Sequence, residues 1–113
     1  MPSTTDLIEG VIANPGRAKG PARVILRQPD IATMQRGEVL VTTMTTPSLM
    51  FAVERAVAIV TDEGGMLCHA AIISRELNIP CIIATERATR LIHTGQIIDV
   101  NANEGLVRML NKP

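Results

Sequence analysis

Aromatic side chains are almost missing: the 113 residues include one phenylalanine, no tryptophan and no tyrosine. A core without rings must be built from Val, Ile, Leu, Ala and Met, and the 46% hydrophobic content supplies them. At this length one domain, residues 1–113, can bury such a core. Charge of one sign is missing too, since 11 Lys and Arg balance 11 Asp and Glu. Nucleic-acid binders draw affinity from clustered Lys and Arg, so that class of partner is excluded. No apolar run approaches the ~20 residues of a membrane-spanning helix, and the N-terminus lacks a basic-then-apolar leader; no membrane partner is expected. Two cysteines, Cys68 and Cys81, stand in separate apolar contexts and make no disulfide framework. The expected compartment is cytoplasmic.

What is present alternates between two periodicities. "LIEGVIA" and "ARVIL" read as β-runs, Leu7–Ala13 and Ala22–Leu26, with Asn14-Pro15-Gly16 and Gly20-Pro21 as turns. "RQPDIATMQRGE" is a connection with one short helical turn, and Val39–Met44 is a β-branched strand. Pro47 opens a helix with apolar positions at Leu49, Met50, Val53 and Ala56. Val57–Thr61 is uniformly apolar, as in a strand covered on both faces. After Gly64-Gly65, "CHAAIISREL" is a second helix, ended by Asn78 and barred from continuing by Pro80. "CIIAT" is a buried strand, "ERATRLI" a third helix, and "QIIDV" and "LVRML" close the chain as strands around the turn "NANEG". The expected fold is a compact α/β domain with a mixed central sheet and about three helices.

The chemistry concentrates at "IVTDEGGMLCH", where a buried strand, a glycine turn and a helix follow in order. Glycines 64 and 65 permit positive φ or a close approach by another molecule. His69 falls in the first turn of the helix it opens. Helix N-termini expose unpaired N–H groups and a partial positive charge that stabilise anions. They also disfavour imidazolium, which leaves one ring nitrogen free as a nucleophile. A histidine placed there is suited to accept a phosphoryl group and to hold it.

The stretch "GGMLCHAAIISRELNIPCIIAT" closely resembles the phosphohistidine motif of the phosphoenolpyruvate-utilising enzymes, which include phosphoenolpyruvate synthase and pyruvate phosphate dikinase. Their shared form is roughly Gly-Gly-x-Thr-Ser/Cys-His-Ala-Ala-Ile-x-x-Arg-Glu-x-x-Ile-Pro. The likeness continues upstream through "GEVLVTTMTTPSLMFAVERAVAIVT", with its Thr-x-Pro turn, and downstream through "ATRLIHTGQIIDVNANEGLVRML", so that it covers about residues 9–110. It implies a single swivelling phosphohistidine domain of β/β/α build. His69 matches the phosphorylated histidine, Gly64 and Gly65 the turn, Cys68 the small residue before the histidine, Arg75 the motif arginine and Thr61 the strand end. The resemblance further implies a phosphocarrier. Its histidine would take a phosphoryl group from an ATP-grasp partner and pass it to pyruvate or a related acceptor on a TIM-barrel partner. ATP and Mg2+ belong to those partners, and this chain is expected to bind no cofactor. It would be one component of a phosphotransferase, inactive by itself.

Two departures bear on this. Leu67 stands where many members carry Thr, which removes a hydroxyl and the regulatory phosphorylation some members place on it. Ala84 stands for a common Gly, read as a minor change. The first motivates an alternative, a catalytically inactive module that docks on a dikinase-like partner. Met66 and Leu67 either face such a partner or pack beneath the turn. Other chemistries fit less well. Cys68 and His69 point about 100° apart on a helix and cannot form a thiol–imidazole pair. Cys68, His69 and Cys81 lack a fourth ligand and metal-site spacing, so no metal site is expected. His93 reads as a solvated loop residue, whereas Arg87 and Arg90 are candidates for the phosphate-bearing edge.

Overall fold

The computed structural model describes residues 7–111. Its strands and α-helices run β1 (Leu7–Glu9), β2 (Val11–Asn14), β3 (Arg17–Ile25), β4 (Val39–Thr42), α1 (Met50–Val53), β5 (Ala58–Thr61), α2 (His69–Leu77), β6 (Cys81–Ile83), α3 (Ala88–Leu91), β7 (Ile97–Asn101) and β8 (Leu106–Met109). Short 3-10 turns occupy Gln28–Thr33 and Pro47–Leu49. The strand order is β1-β8-β7-β3-β4-β5-β6-β2. From β3 to β6 the strands are parallel, and the flanking pairs are antiparallel. The mixed sheet and the three helices agree with the sequence pattern.

Strand periodicity sorts the core into two layers. Along β4, Val39 and Val41 face one cluster and Leu40 the other. Along β5, Ala58 and Val60 oppose Ile59, and along β6, Ile82 opposes Cys81 and Ile83. The first cluster lies between the parallel strands and the antiparallel half, with Ile8, Ile98, Val100 and Val107. The second lies under the helices, with Val53, Ala70 and Ala71. Covered on both sides, β4, β5 and β6 are buried throughout, which explains their uniformly apolar sequence. In β7 only alternate residues are buried, because its outer face meets solvent.

Three sequence expectations change. The run Leu7–Ala13 is two strands, since β1 pairs with β8 while β2 pairs with β6 at the other end of the order. Gly10 is the joint. A Cβ there would lie 2.5 Å from Ile82 Cγ2, 2.7 Å from the Ile83 carbonyl oxygen and 2.8 Å from Thr85 Cγ2. Gly20-Pro21 is no turn but the middle of β3. The ladder to β7 ends at Pro21 and the ladder to β4 starts at Ala22, so the residue lacking an N–H sits where the strand changes partners. The helix begun at Pro47 is a 3-10 turn followed by only four α-helical residues.

Candidate functional site

The carboxyl ends of β4 and β5 build the site. Beyond Thr61, the Asp62 and Glu63 N–H groups still donate to the Thr42 and Thr43 carbonyls, at 3.1 and 2.9 Å. Gly64 then turns the chain at φ +128°, and a Cβ on it would sit 2.9 Å from Cys68 Sγ. Gly65 is different: its φ is not in the left-handed region and no atom lies within 4 Å of where its Cβ would be. It borders open space, as a surface approached by another molecule must.

Cys68 is the extended N-cap residue of α2 (φ −71°, ψ 164°), and no side chain caps the helix. Its carbonyl accepts the Ile72 N–H at 3.0 Å. By helix geometry the N–H groups of residues 69–71 therefore remain to be satisfied, and they carry the positive end of the dipole. His69 is the first residue of α2, within the turn where the sequence places it. Its Nδ1 lies 3.0 Å from Thr45 Oγ1. Thr45 is buried, so this contact fixes the half-buried ring and leaves Nε2 as the nitrogen available for chemistry. Sequence spacing alone does not mark Thr45 as a site residue. Its signal was the Thr-x-Pro turn, where Pro47 starts the 3-10 turn and fixes the chain just after Thr45.

The other expected residues support the loop in different ways. The Thr61 hydroxyl donates to the Glu63 carbonyl, and the Thr61 carbonyl accepts from the Thr85 N–H at 3.1 Å and the Thr85 hydroxyl at 2.9 Å. Asp62 accepts from the N–H and hydroxyl of Thr89. Arg75 donates to the Ala13 carbonyl at 3.0 Å and approaches Met66 Sδ at 3.9 Å. It ties α2 to β2 and steadies the loop. Met66 and Leu67 point outward, Leu67 with 86% of its surface exposed, so neither packs beneath the turn. Met44, two residues past the end of β4, and Ile72, one helical turn beyond His69, are half-exposed apolar residues as well.

Cys68 and Cys81 are free thiols. Burial pushes the Cys81 thiol up to about 12 and makes it inert. Among the described residues no group of three or more His, Cys, Asp or Glu could hold a metal ion. No described helix is long and apolar enough to cross a membrane. His93, Arg87 and Arg90 are exposed. Ala84 corrects the sequence reading, because it has φ +57°, in the left-handed region where a Cβ is strained and glycine is relaxed. Replacing Gly there is not minor.

Residues 34–105 match the family model described as "PEP-utilising enzyme, mobile domain". A probable phosphoenolpyruvate synthase of Archaeoglobus fulgidus is 48% identical over 89% of this chain, and the phosphoenolpyruvate synthase of Pyrococcus furiosus is 46% identical over 89%. The chain spans only 13% and 12% of those relatives' own lengths. Among solved structures, an Enzyme I domain structure superposes with TM-score 0.61 at 26% identity, covering 73% of this chain and 34% of that one. The aconitase X of Thermococcus kodakaraensis reaches TM-score 0.68 at 19% identity over 93% of this chain and 98% of that one, a likeness of fold alone. The glycine turn, the histidine opening α2 and the match across the central strands agree, and the chain belongs to the family of mobile domains of PEP-utilising enzymes.

Proposed function

We propose that this chain is a phosphocarrier whose His69 shuttles a phosphoryl group between two partner sites. The contact between Thr45 Oγ1 and His69 Nδ1 carries the reading, because it holds the ring by Nδ1 and leaves Nε2 as the nitrogen available for attack at an uncapped helix N-terminus. The Nε2 lone pair attacks the phosphorus of a nucleotide held by an ATP-grasp partner. The N–P bond forms, the bond to the bridging oxygen breaks, and that electron pair leaves with the nucleotide. The dianion on the ring then faces the N–H groups of α2, which hold it by charge-assisted hydrogen bonds and the helix dipole. At a TIM-barrel partner an acceptor oxygen, that of pyruvate or a related acid, attacks phosphorus and returns the lone pair to Nε2. Splitting one transfer into two lets the active sites stand apart in space. ATP and Mg2+ sit on the partners; of the two acidic residues before Gly64, Asp62 is already engaged by Thr89.

Incubation with the cognate nucleotide-binding component and ATP tests this by intact mass. An acid-labile gain of one phosphoryl group, absent in His69→Ala, supports the carrier. The same gain in His69→Ala places the phosphate elsewhere and rejects it.

Leu67 motivates a second reading, a docking module without phosphotransfer, since it is highly exposed and has no hydroxyl to offer a phosphate. A His69→Ala protein that keeps every biological effect selects that reading.

A further inference from the structure

A cavity of about 230 Å3 opens at the carboxyl ends of β3 and β4, and the phosphocarrier chemistry makes no use of it. Ligands of α/β sheets settle outside the carboxyl ends of parallel strands, and β3 and β4 are such a pair. The same sheet edge carries His69. Thr45 lies between Met44 and Thr46, both of which line the cavity.

Its walls divide by chemistry. Ile25, Ile31 and Leu49 form an apolar side. Arg27, Thr43, Thr46 and Ser48 form a polar side, and no carboxylate lines the space. The ion pairs of the described residues, Arg17–Asp99 and Arg23–Glu38, leave the exposed Arg27 guanidinium without an acidic partner. The Thr46 and Ser48 hydroxyls lie 2.8 Å apart, so one donates to the other and one O–H remains to be given away. The lining thus combines hydroxyl donors and one fork-shaped cation with apolar side chains.

We propose that this cavity binds a short aliphatic carboxylate. The carboxylate lies on the Arg27 fork and the free hydroxyl, and the alkyl stem lies on Ile25, Ile31 and Leu49. A single guanidinium matches a monoanionic carboxylate bidentately, whereas a phosphate dianion calls for more than one cation and leaves the apolar wall unused. At about 30 Å3 per water, the volume holds on the order of eight non-hydrogen atoms, room enough for butyrate. An occupant there also contacts both neighbours of Thr45 and so restrains the segment that positions His69.

Methyl resonances of Ile25, Ile31 and Leu49 followed during titrations with sodium butyrate, 1-butanol and inorganic phosphate test the site. Butyrate should shift them saturably in the millimolar range, and both 1-butanol and the Arg27→Gln variant should weaken the effect by about tenfold. Arg27 is exposed, so the fold survives its replacement, and the butanol arm needs no variant. Butyrate should saturate these shifts on the unphosphorylated protein with no nucleotide and no partner present, which reads this site independently of the carrier reading. Failure to saturate by about 50 mM, equal shifts from butanol, an undiminished response in Arg27→Gln, or tighter binding of phosphate overturns the proposal.

Discussion

At the scale of single residues, Thr45 and Ala84 make opposite demands. Thr45 holds the histidine ring through one hydrogen bond. A net hydrogen bond is worth about 1 kcal/mol, so Thr45→Val should slow His69 phosphorylation by roughly fivefold and lower stability by about 1 kcal/mol at most. Single-turnover kinetics, with a Thr45→Ser rescue, would separate positioning from folding. Ala84 stores strain instead. An L-residue in the left-handed region costs about 1 kcal/mol, and part of that gain is returned as unfolded-chain entropy when Gly is introduced. Ala84→Gly should therefore stabilise the domain by about 0.5 kcal/mol, read from its urea midpoint. The thiols give a third expectation. Native protein should take one iodoacetamide per chain, at half-buried Cys68, and a second only once Cys81 is exposed by denaturant. These residues also mark the limits of the sequence. His69 at the mouth of a helix follows from Gly-Gly, the apolar spacing and Asn78-Pro80. The role of Thr45 depends on a contact across 24 positions, and the strain at Ala84 on a dihedral angle that no side chain announces.

At the scale of elements, Gly10 is the most exposed to substitution. Three atoms lie within 3 Å of where a Cβ would go, one of them a backbone oxygen that cannot rotate away. Gly10→Ala should cost about 2 kcal/mol or more by calorimetry, through overpacking at the joint of β1 and β2. The β3–β4 region carries a titratable clamp. Arg23 meets Glu38 through two bonds of 3.0 and 2.9 Å, and the Gln35 N–H adds a third at 2.7 Å. Burial raises the Glu38 carboxyl, but Arg23 and Gln35 together bring it below its ordinary value. The folded state then holds that proton less readily than the unfolded chain. The clamp's stabilisation is complete above the unfolded glutamate value and is lost as pH falls below about 4. Glu38→Gln should flatten that acid limb in pH-dependent urea melts. The strands of this region were legible because burial on both faces writes uniform apolar runs. The joint at Gly10 and the partner change at Pro21 were not, since pairing between distant segments leaves no local periodicity.

At the scale of the whole molecule, β3 serves both halves of the sheet along its length, and β1 and β2 do the same through Gly10. The two halves share one apolar layer, so they should melt together; one calorimetric transition with matching van't Hoff enthalpy is expected. There is a consequence for encounters with other proteins. Among the described pairings β1 meets β8 alone and β2 meets β6 alone, and at three and four residues these edge strands offer a foreign strand only a very short ladder. A visitor must therefore hold on mainly by side chains, a shallow and quickly released grip of the kind the proposed carrier needs in passing from one host to another.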